Sequence, residues 1–229
     1  SWDRLFSGVM KKILYVILHT CTRPERYEAV VNTWGKDEDF IFYADCDDEE
    51  KKIIKVSDDT SYSSNEAKHV NVIKYLFDND YQYEWFFFCD DDTFVNTKKL
   101  EENLNNFDKE KIIGQKLKGT WPTDTNLEYC SGGTGYLINK NILEKIAPMI
   151  KIKDTGYSDV TLGLSIIELG LKVVNQIPKL VTQIEHNEKF NGQSPTYYNI
   201  DISSIKDVFT YHYIDSQTMV EMYEILNNN

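Results

Sequence analysis

Residues 85–95 read Trp-Phe-Phe-Phe-Cys-Asp-Asp-Asp-Thr-Phe-Val, and no other stretch constrains the fold as much. Residues 85–89 are an unbroken apolar run, too short for a core helix and rich in aromatics. They are predicted to form a strand buried on both faces, as in a parallel sheet. The run ends in Asp90, Asp91 and Asp92. Three adjacent like charges at the edge of a core repel one another and are costly to desolvate. A bound cation removes that cost, and oxygen ligands suit a hard ion such as Mg²⁺ or Mn²⁺. In open α/β sheets, ligands sit at the carboxyl ends of the strands, where this triplet falls. The plain alternative is a solvated acidic turn. The acidic run at 45–50 acts as an internal control: it passes straight into lysines and is read as loop.

The 229 residues suit one α/β domain with a substantial core. A formal net charge of −12 argues against nucleic acid or an anionic membrane as the main partner. A diphosphate ligand would therefore rely on a metal and a few placed cations. The apolar stretch at 13–18 is strand-sized and too short to span a bilayer, and no secretory signal or membrane segment is read in the chain. Cys21, Cys46, Cys89 and Cys130 are widely spaced with no Cys-x-x-Cys pair, which argues against structural zinc. No Asn-x-Ser/Thr sequon is present either, so four free thiols and a non-secretory chain are expected.

Taken in order, strands are predicted at 11–19, 40–44 and 52–56. Between the first two, a helix runs over 25–34, with Pro24 at its start and Gly35 at its end. The Ser-Ser-Asn-Glu at 63–66 reads as the cap of a second helix that carries Val70, Ile73 and Leu76. Strand, helix, strand, strand, helix, strand is the opening of a mostly parallel α/β sheet. A short helix at 98–107 and a strand at 111–114 follow, then a polar connection through Trp121 and Pro122. Gly132, Gly133 and Gly135 precede an apolar strand, which suits either close approach of backbone to a ligand or a tight turn. Further helices are predicted at 141–150 and 160–169, the latter with Ser158 or Asp159 as its N-cap. A strand at 171–177, a last strand at 208–214 and a closing helix at 219–226 capped by Ser216 complete the pattern. No element is assigned to 179–204. His212 sits mid-strand among aromatics, where a histidine is ordinarily a core residue.

Five segments, in order over nearly the whole chain, carry a resemblance. These are the Arg26-containing helix ending in Thr33-Trp34-Gly35, the run from Trp85 through Asp90-Asp91-Asp92, and Ser131-Gly132-Gly133-Thr134-Gly135-Tyr136. Asp159-Val160-Thr161-Leu162-Gly163 and Tyr211-His212-Tyr213-Ile214-Asp215-Ser216 are the other two. Together they resemble the family-31 inverting glycosyltransferases, which include Fringe and the core-1 β1,3-galactosyltransferases (T-synthases). The resemblance implies an α/β, GT-A-like (Rossmann-like) fold, with a mixed, mostly parallel sheet flanked by helices in a single domain over 10–229. It implies transfer of a sugar from a UDP-sugar to a hydroxyl of a glycan, glycopeptide or other acceptor, with inversion and a β1,3 linkage. Mn²⁺ or Mg²⁺ is the implied cofactor.

By the same resemblance, Asp90 and Asp92 belong to the metal–diphosphate site, His212 binds the same ion, and Asp159 is the catalytic base. Thr22, Arg26 and Lys68 match positions around the nucleotide, and Asp91, Gly132 and Gly133 are counted with the donor-binding residues. Two departures stand out. Ser158 replaces the family's usual Glu or Asp, and the cysteine pair that precedes the histidine motif in animal T-synthases is absent from 204–207. Residues 1–9 are read as an extraneous or disordered extension, with a native start at Met10 and a soluble, cytoplasmic chain. The Golgi lumen is the alternative if the chain is a fragment of a type II membrane enzyme. Two rival functions use the same residues: a metal-dependent nucleotidyl or phosphoryl transferase, and a non-enzymatic, metal-dependent sugar-binding module.

Overall fold

The computed structural model describes residues 11–121, 124–174, 181–182 and 202–228. The reading of 1–9 as an extension falls outside these residues, as does most of 179–204. The first half contains β1 (Ile13–Leu18), α1 (Pro24–Asn32), β2 (Phe40–Ala44), β3 (Ile53–Lys55), α2 (Asn65–Asp78), β4 (Trp85–Asp90), β5 (Phe94–Val95) and α3 (Thr97–Asn103). The second half contains β6 (Ile112–Gly114), β7 (Lys116–Trp121), β8 (Asp124–Cys130), β9 (Tyr136–Asn139), α4 (Lys140–Ile146), α5 (Ser158–Glu168), β10 (Val173–Val174), β11 (Val181–Thr182), β12 (Thr210–His212) and α6 (Ser216–Asn227).

The apolar run does form a strand buried on both faces. Trp85, Phe87 and Cys89 point into one core layer, and Phe86 and Phe88 into the other. The alternation follows from the two-residue period of a strand. Helices α1, α3 and α6 pack on the first face, and α2, α4 and α5 on the second. The main sheet has the order β10-β6-β9-β4-β1-β2-β3. All its pairings are parallel except those of β9, which runs antiparallel to both β4 and β6.

That single reversal positions the site. Phe88 near the end of β4 pairs with Tyr136 at the start of β9. The glycine loop before β9 therefore lies at the same sheet edge as the carboxyl ends of β1, β2 and β4. A small second sheet orders β11-β12-β5. Its antiparallel register, Tyr211 with Phe94 and Thr210 with Val95, carries His212 to the acidic turn that precedes β5.

Several local expectations need correction. The polar connection through Trp121 is a hairpin, β7 paired with β8. Helix α5 takes Tyr157 as its N-cap position, so Asp159 stands in the first turn and not at the cap. Helix α6 is capped by Asp215, whose carboxylate accepts the Thr218 N–H at 2.9 Å, and Ser216 is its first residue. The expected capping pair at 63–66 does not form: the Ser64 hydroxyl donates back to Asp59 and Ser61, and Glu66 is turned elsewhere.

The expectation of four free thiols is overturned, because Cys21 and Cys46 form a disulfide with Cα atoms 6.1 Å apart. Register supplies the reason. Leu18 pairs with Tyr43 in the parallel β1–β2 ladder, and each cysteine lies three residues beyond its member of that pair. Cys89 and Cys130 are buried free thiols. Alkylation under denaturing conditions is expected to add two labels without reductant and four with it, by intact mass. Replacing the pair by serines is expected to remove about 3 kcal/mol of stability through the 25-residue separation it closes.

His69 on α2 is buried between Tyr136, whose hydroxyl lies 2.6 Å from Nε2, and Tyr43, 3.4 Å from Nδ1. Burial lowers its pKa from 6.5 to about 4. Between those values the unfolded chain binds a proton that the folded chain does not, so stability falls as pH falls. Urea unfolding is expected to show a His69-dependent loss of about 2 kcal/mol from pH 7 to pH 5, absent in His69→Gln.

Candidate active site

The acidic turn at the end of β4 is stitched into the sheet edge by its own backbone. The Asp91 N–H donates to Leu18 O at 3.1 Å, and the Thr93 N–H to Asp90 O at 3.1 Å. The three carboxylates then diverge. Asp91 turns inward and is buried, with one oxygen 2.7 Å from His19 Nδ1 and the other accepting from Arg26 Nη1 at 3.1 Å. Burial raises its pKa, against the pull of His19 and Arg26. Asp90 and Asp92 turn to His212, whose Nε2 is 3.5 Å from Asp90 Oδ2 and 3.2 Å from Asp92 Oδ1.

Asp90, Asp92 and His212 each offer a ligand atom, and these atoms lie within 4.8 Å of one another. Asp92 Oδ1 is a buried polar atom without a hydrogen bond among the described residues, despite its closeness to His212. A buried acceptor in that state carries a free-energy cost that a cation would remove. Two carboxylate oxygens and an imidazole nitrogen are also a donor set suited to Mn²⁺ or Mg²⁺. The residues therefore fit a hard divalent ion. Burial by itself lowers the His212 pKa, but the charges of Asp92 and Asp90 outweigh it and carry the imidazole up to about 9. The same neighbour holds Asp92 below the ordinary carboxylate range, although burial opposes this.

The glycine loop is the platform behind His212. A Cβ on Gly133 would overlap the imidazole ring, and one on Gly135, which has φ +90°, would overlap Phe87. Thr93 donates its hydroxyl to Gly133 O, and Thr210 donates to Thr134 O at 2.8 Å. The loop is thus clamped between the acidic turn and β12. Tyr213, with φ +60°, stacks on the His212 ring at 3.7 Å between centroids. A non-glycine residue in the left-handed region is uncommon, and here it sits beside the charged cluster.

Across the loop, Gly132 N–H points at Asp159 Oδ2, 3.4 Å away, and Val160 N–H donates to Asp159 Oδ1 at 2.9 Å. Burial raises the Asp159 pKa and the charge of Asp90 adds to the rise, while those two N–H groups pull the other way. The result is a half-buried carboxylate that is a stronger base than an exposed one.

Two other expected site residues lie apart from the acidic cluster. Lys68 is buried on α2 with Nζ 4.0 Å from Asp45 Oδ2. Thr22 is exposed, 3.1 Å from the Thr20 hydroxyl that donates to Asp45. Asp45, read from sequence as part of an indifferent acidic loop, is the centre of this second group. Burial pushes its pKa up, but the Cys21 N–H, the Thr20 hydroxyl and Lys68 more than offset that and hold it low. Position at the end of β2 distinguishes Asp45 from the rest of its run, by the same rule that singled out Asp90. Arg26 links to the acidic turn, reaching Asp92 Oδ2 at 3.6 Å as well as Asp91.

A model of the Fringe-like family matches residues 10–228. The chain belongs to the Fringe-like family. Human and mouse chondroitin sulfate synthase 3 are each 30% identical to this Fringe-like chain over 118 residues, covering 46% of it. The match spans 13% of the length of each relative. Among solved structures, a glycosyltransferase involved in the glycosylation of the major capsid of PBCV-1 superposes with a TM-score of 0.51. The superposition covers 93% of this chain and 98% of the other at 11% identity. The fold of this Fringe-like chain is the GT-A fold.

Calorimetric titration of Mn²⁺ in the presence of UDP tests the three-ligand set. Asp92→Ala and His212→Ala are each expected to abolish the heat of binding while the fold persists. Because the ion must displace a proton from His212, wild-type affinity is expected to rise by up to about tenfold per pH unit between pH 6 and 8. Unchanged affinity in His212→Ala would return that residue to a packing role.

Proposed function

We propose that this Fringe-like protein is a divalent-metal-dependent, inverting glycosyltransferase. In this reading it moves a sugar from a UDP-sugar to an acceptor hydroxyl and forms a β1,3 linkage. The observation that carries the proposal is the convergence, at one sheet edge, of the Asp90–Asp92–His212 set and the raised carboxylate of Asp159. The family assignment supports sugar transfer, and relatives named as chondroitin sulfate synthases support a glycan as the acceptor.

Asp90, Asp92 and His212 would hold Mn²⁺ or Mg²⁺. When bound, the ion supplies charge neutralisation for a departing diphosphate. The chain's own residues do the rest. Arg26 is held by Asp91 beside Asp92, so positive charge is kept near the diphosphate without a general positive field. Asp91, fixed by His19 and Arg26, orients the turn on the donor side. Thr22 and Lys68, gathered around Asp45 at the ends of β1 and β2, serve the nucleotide side. Gly133 lets the loop pass close to His212, and Gly132 turns its N–H towards Asp159.

Asp159 takes the acceptor's hydroxyl proton. The oxygen then bonds to the anomeric carbon as the bond to the diphosphate oxygen breaks on the opposite face. The products are the β-glycoside, UDP and one proton on the Asp159 carboxylate. A nucleotidyl transferase using the same residues would release pyrophosphate instead, and a sugar-binding module would not need Asp159.

A panel of UDP-sugars with Mn²⁺, scored by UDP release, is expected to identify one preferred donor. In Asp159→Asn the shape is kept but the proton acceptor is lost. Transfer is expected to fall roughly 10²–10⁴-fold, with UDP–Mn²⁺ affinity unchanged. Transfer at near the wild-type rate would leave Asp159 as merely a first-turn residue of α5.

A further inference from the structure

Glu66 is a charged side chain buried to 3% exposure, and nothing in the reaction described above uses it. It lies at the start of α2, where a helix-capping role was expected. Its carboxylate instead reaches across to the segment that leads into α5. Oε1 accepts the Lys153 N–H at 2.7 Å and the Thr161 hydroxyl at 2.5 Å, and Oε2 accepts the Gly156 N–H at 3.0 Å. All three partners are donors, so the site calls for a group that only accepts. A glutamine would set an NH₂ against one of those backbone N–H groups.

The segment that Glu66 holds contains left-handed backbone. Asp154 and Gly156 both have positive φ, 57° and 73°. A left-handed aspartate persists where its surroundings fix it. Thr155 continues the network. With the Thr161 proton given to Glu66, the one Thr155 hydroxyl proton goes either to Thr161 Oγ1, 2.7 Å away, or to Tyr157 O, 2.8 Å away, and the Thr155 oxygen accepts from Tyr157 N at 3.1 Å. Tyr157 is the N-cap position of α5 and Thr161 is in its first turns, so these bonds bracket Asp159 on both sides. Two residues along α2, Lys68 faces Asp45 on the other group of site residues.

We propose that Glu66 is the positioning residue for Asp159, fixing the height and direction of the first turn of α5 so that the carboxylate faces the acceptor. This rests on the reading of Asp159 as the base. Because Glu66 acts through Asp159, its removal costs rate only while Asp159 can accept a proton.

The test is a double-mutant cycle of Glu66→Gln and Asp159→Asn, with transfer rate, UDP–Mn²⁺ affinity and melting temperature measured on each preparation. Glu66→Gln is expected to lower kcat by about 10–100-fold with UDP–Mn²⁺ affinity unchanged. In the Asp159→Asn background it is expected to change the rate less than about twofold. A normal kcat in Glu66→Gln, or the same fold-loss in both backgrounds, overturns the proposal and leaves Glu66 a stability residue. An unimpaired Asp159→Asn enzyme overturns the base reading and this proposal together. An impaired one beside a normal Glu66→Gln overturns this proposal alone. Should Glu66→Gln fail to fold, Thr161→Val removes one of the three donors and leaves the carboxylate in place, and the same cycle is run with it.

Discussion

Three carboxylates in a row at the end of a doubly buried strand cannot all keep their charge without partners, and the fold is arranged to supply them. Each partner comes from a different part of the chain: His19 from the end of β1, Arg26 from α1 and His212 from β12. The last of these is more than a hundred residues away, so answering the charge also draws the C-terminal strand onto the acidic turn. Taking charges out of water costs several kcal/mol per ion, and pairing repays that only where the geometry is excellent, which makes such a cluster a poor device for stability alone. It is better suited to holding something. Asp91 is hydrogen-bonded on both oxygens, whereas Asp92 Oδ1 has the ion pair with His212 and no hydrogen bond among the described residues.

The reversed strand β9 is the second element on which the site depends. Had it run parallel to β4, its glycine-rich start would lie at the far edge of the sheet. Running antiparallel, it delivers Gly133 under His212 and Gly132 beside Asp159. One short loop thus separates the cation set from the candidate base and is in contact with both. Glu66 completes the frame from behind, linking α2 to the start of α5.

The strands of the main sheet were legible because each is a short apolar run bounded by polar turns; 40–44 even carried its limits correctly. Residues 116–121 and 124–130 were not, because the polar residues that punctuate this hairpin look like a connection. Caps slipped by a residue where two capping types are adjacent, as with Asp215 and Ser216, since only backbone geometry decides between them. The disulfide was invisible for a different reason. Cysteines 25 residues apart become neighbours only through the β1–β2 register. Within the site, the acidic triplet stood out by its strand, while Asp45 and Glu66 looked like loop and cap residues. Their roles come from burial and from partners distant in sequence.

We propose above that Asp90, Asp92 and His212 together hold a divalent cation. Anomalous diffraction from crystals soaked in MnCl₂ and UDP, recorded near the manganese edge, tests it without recourse to activity. The expected result is one strong peak bonded to all three side chains, with diphosphate oxygens completing the coordination. No peak there, or manganese bound only elsewhere on the molecule, would contradict it.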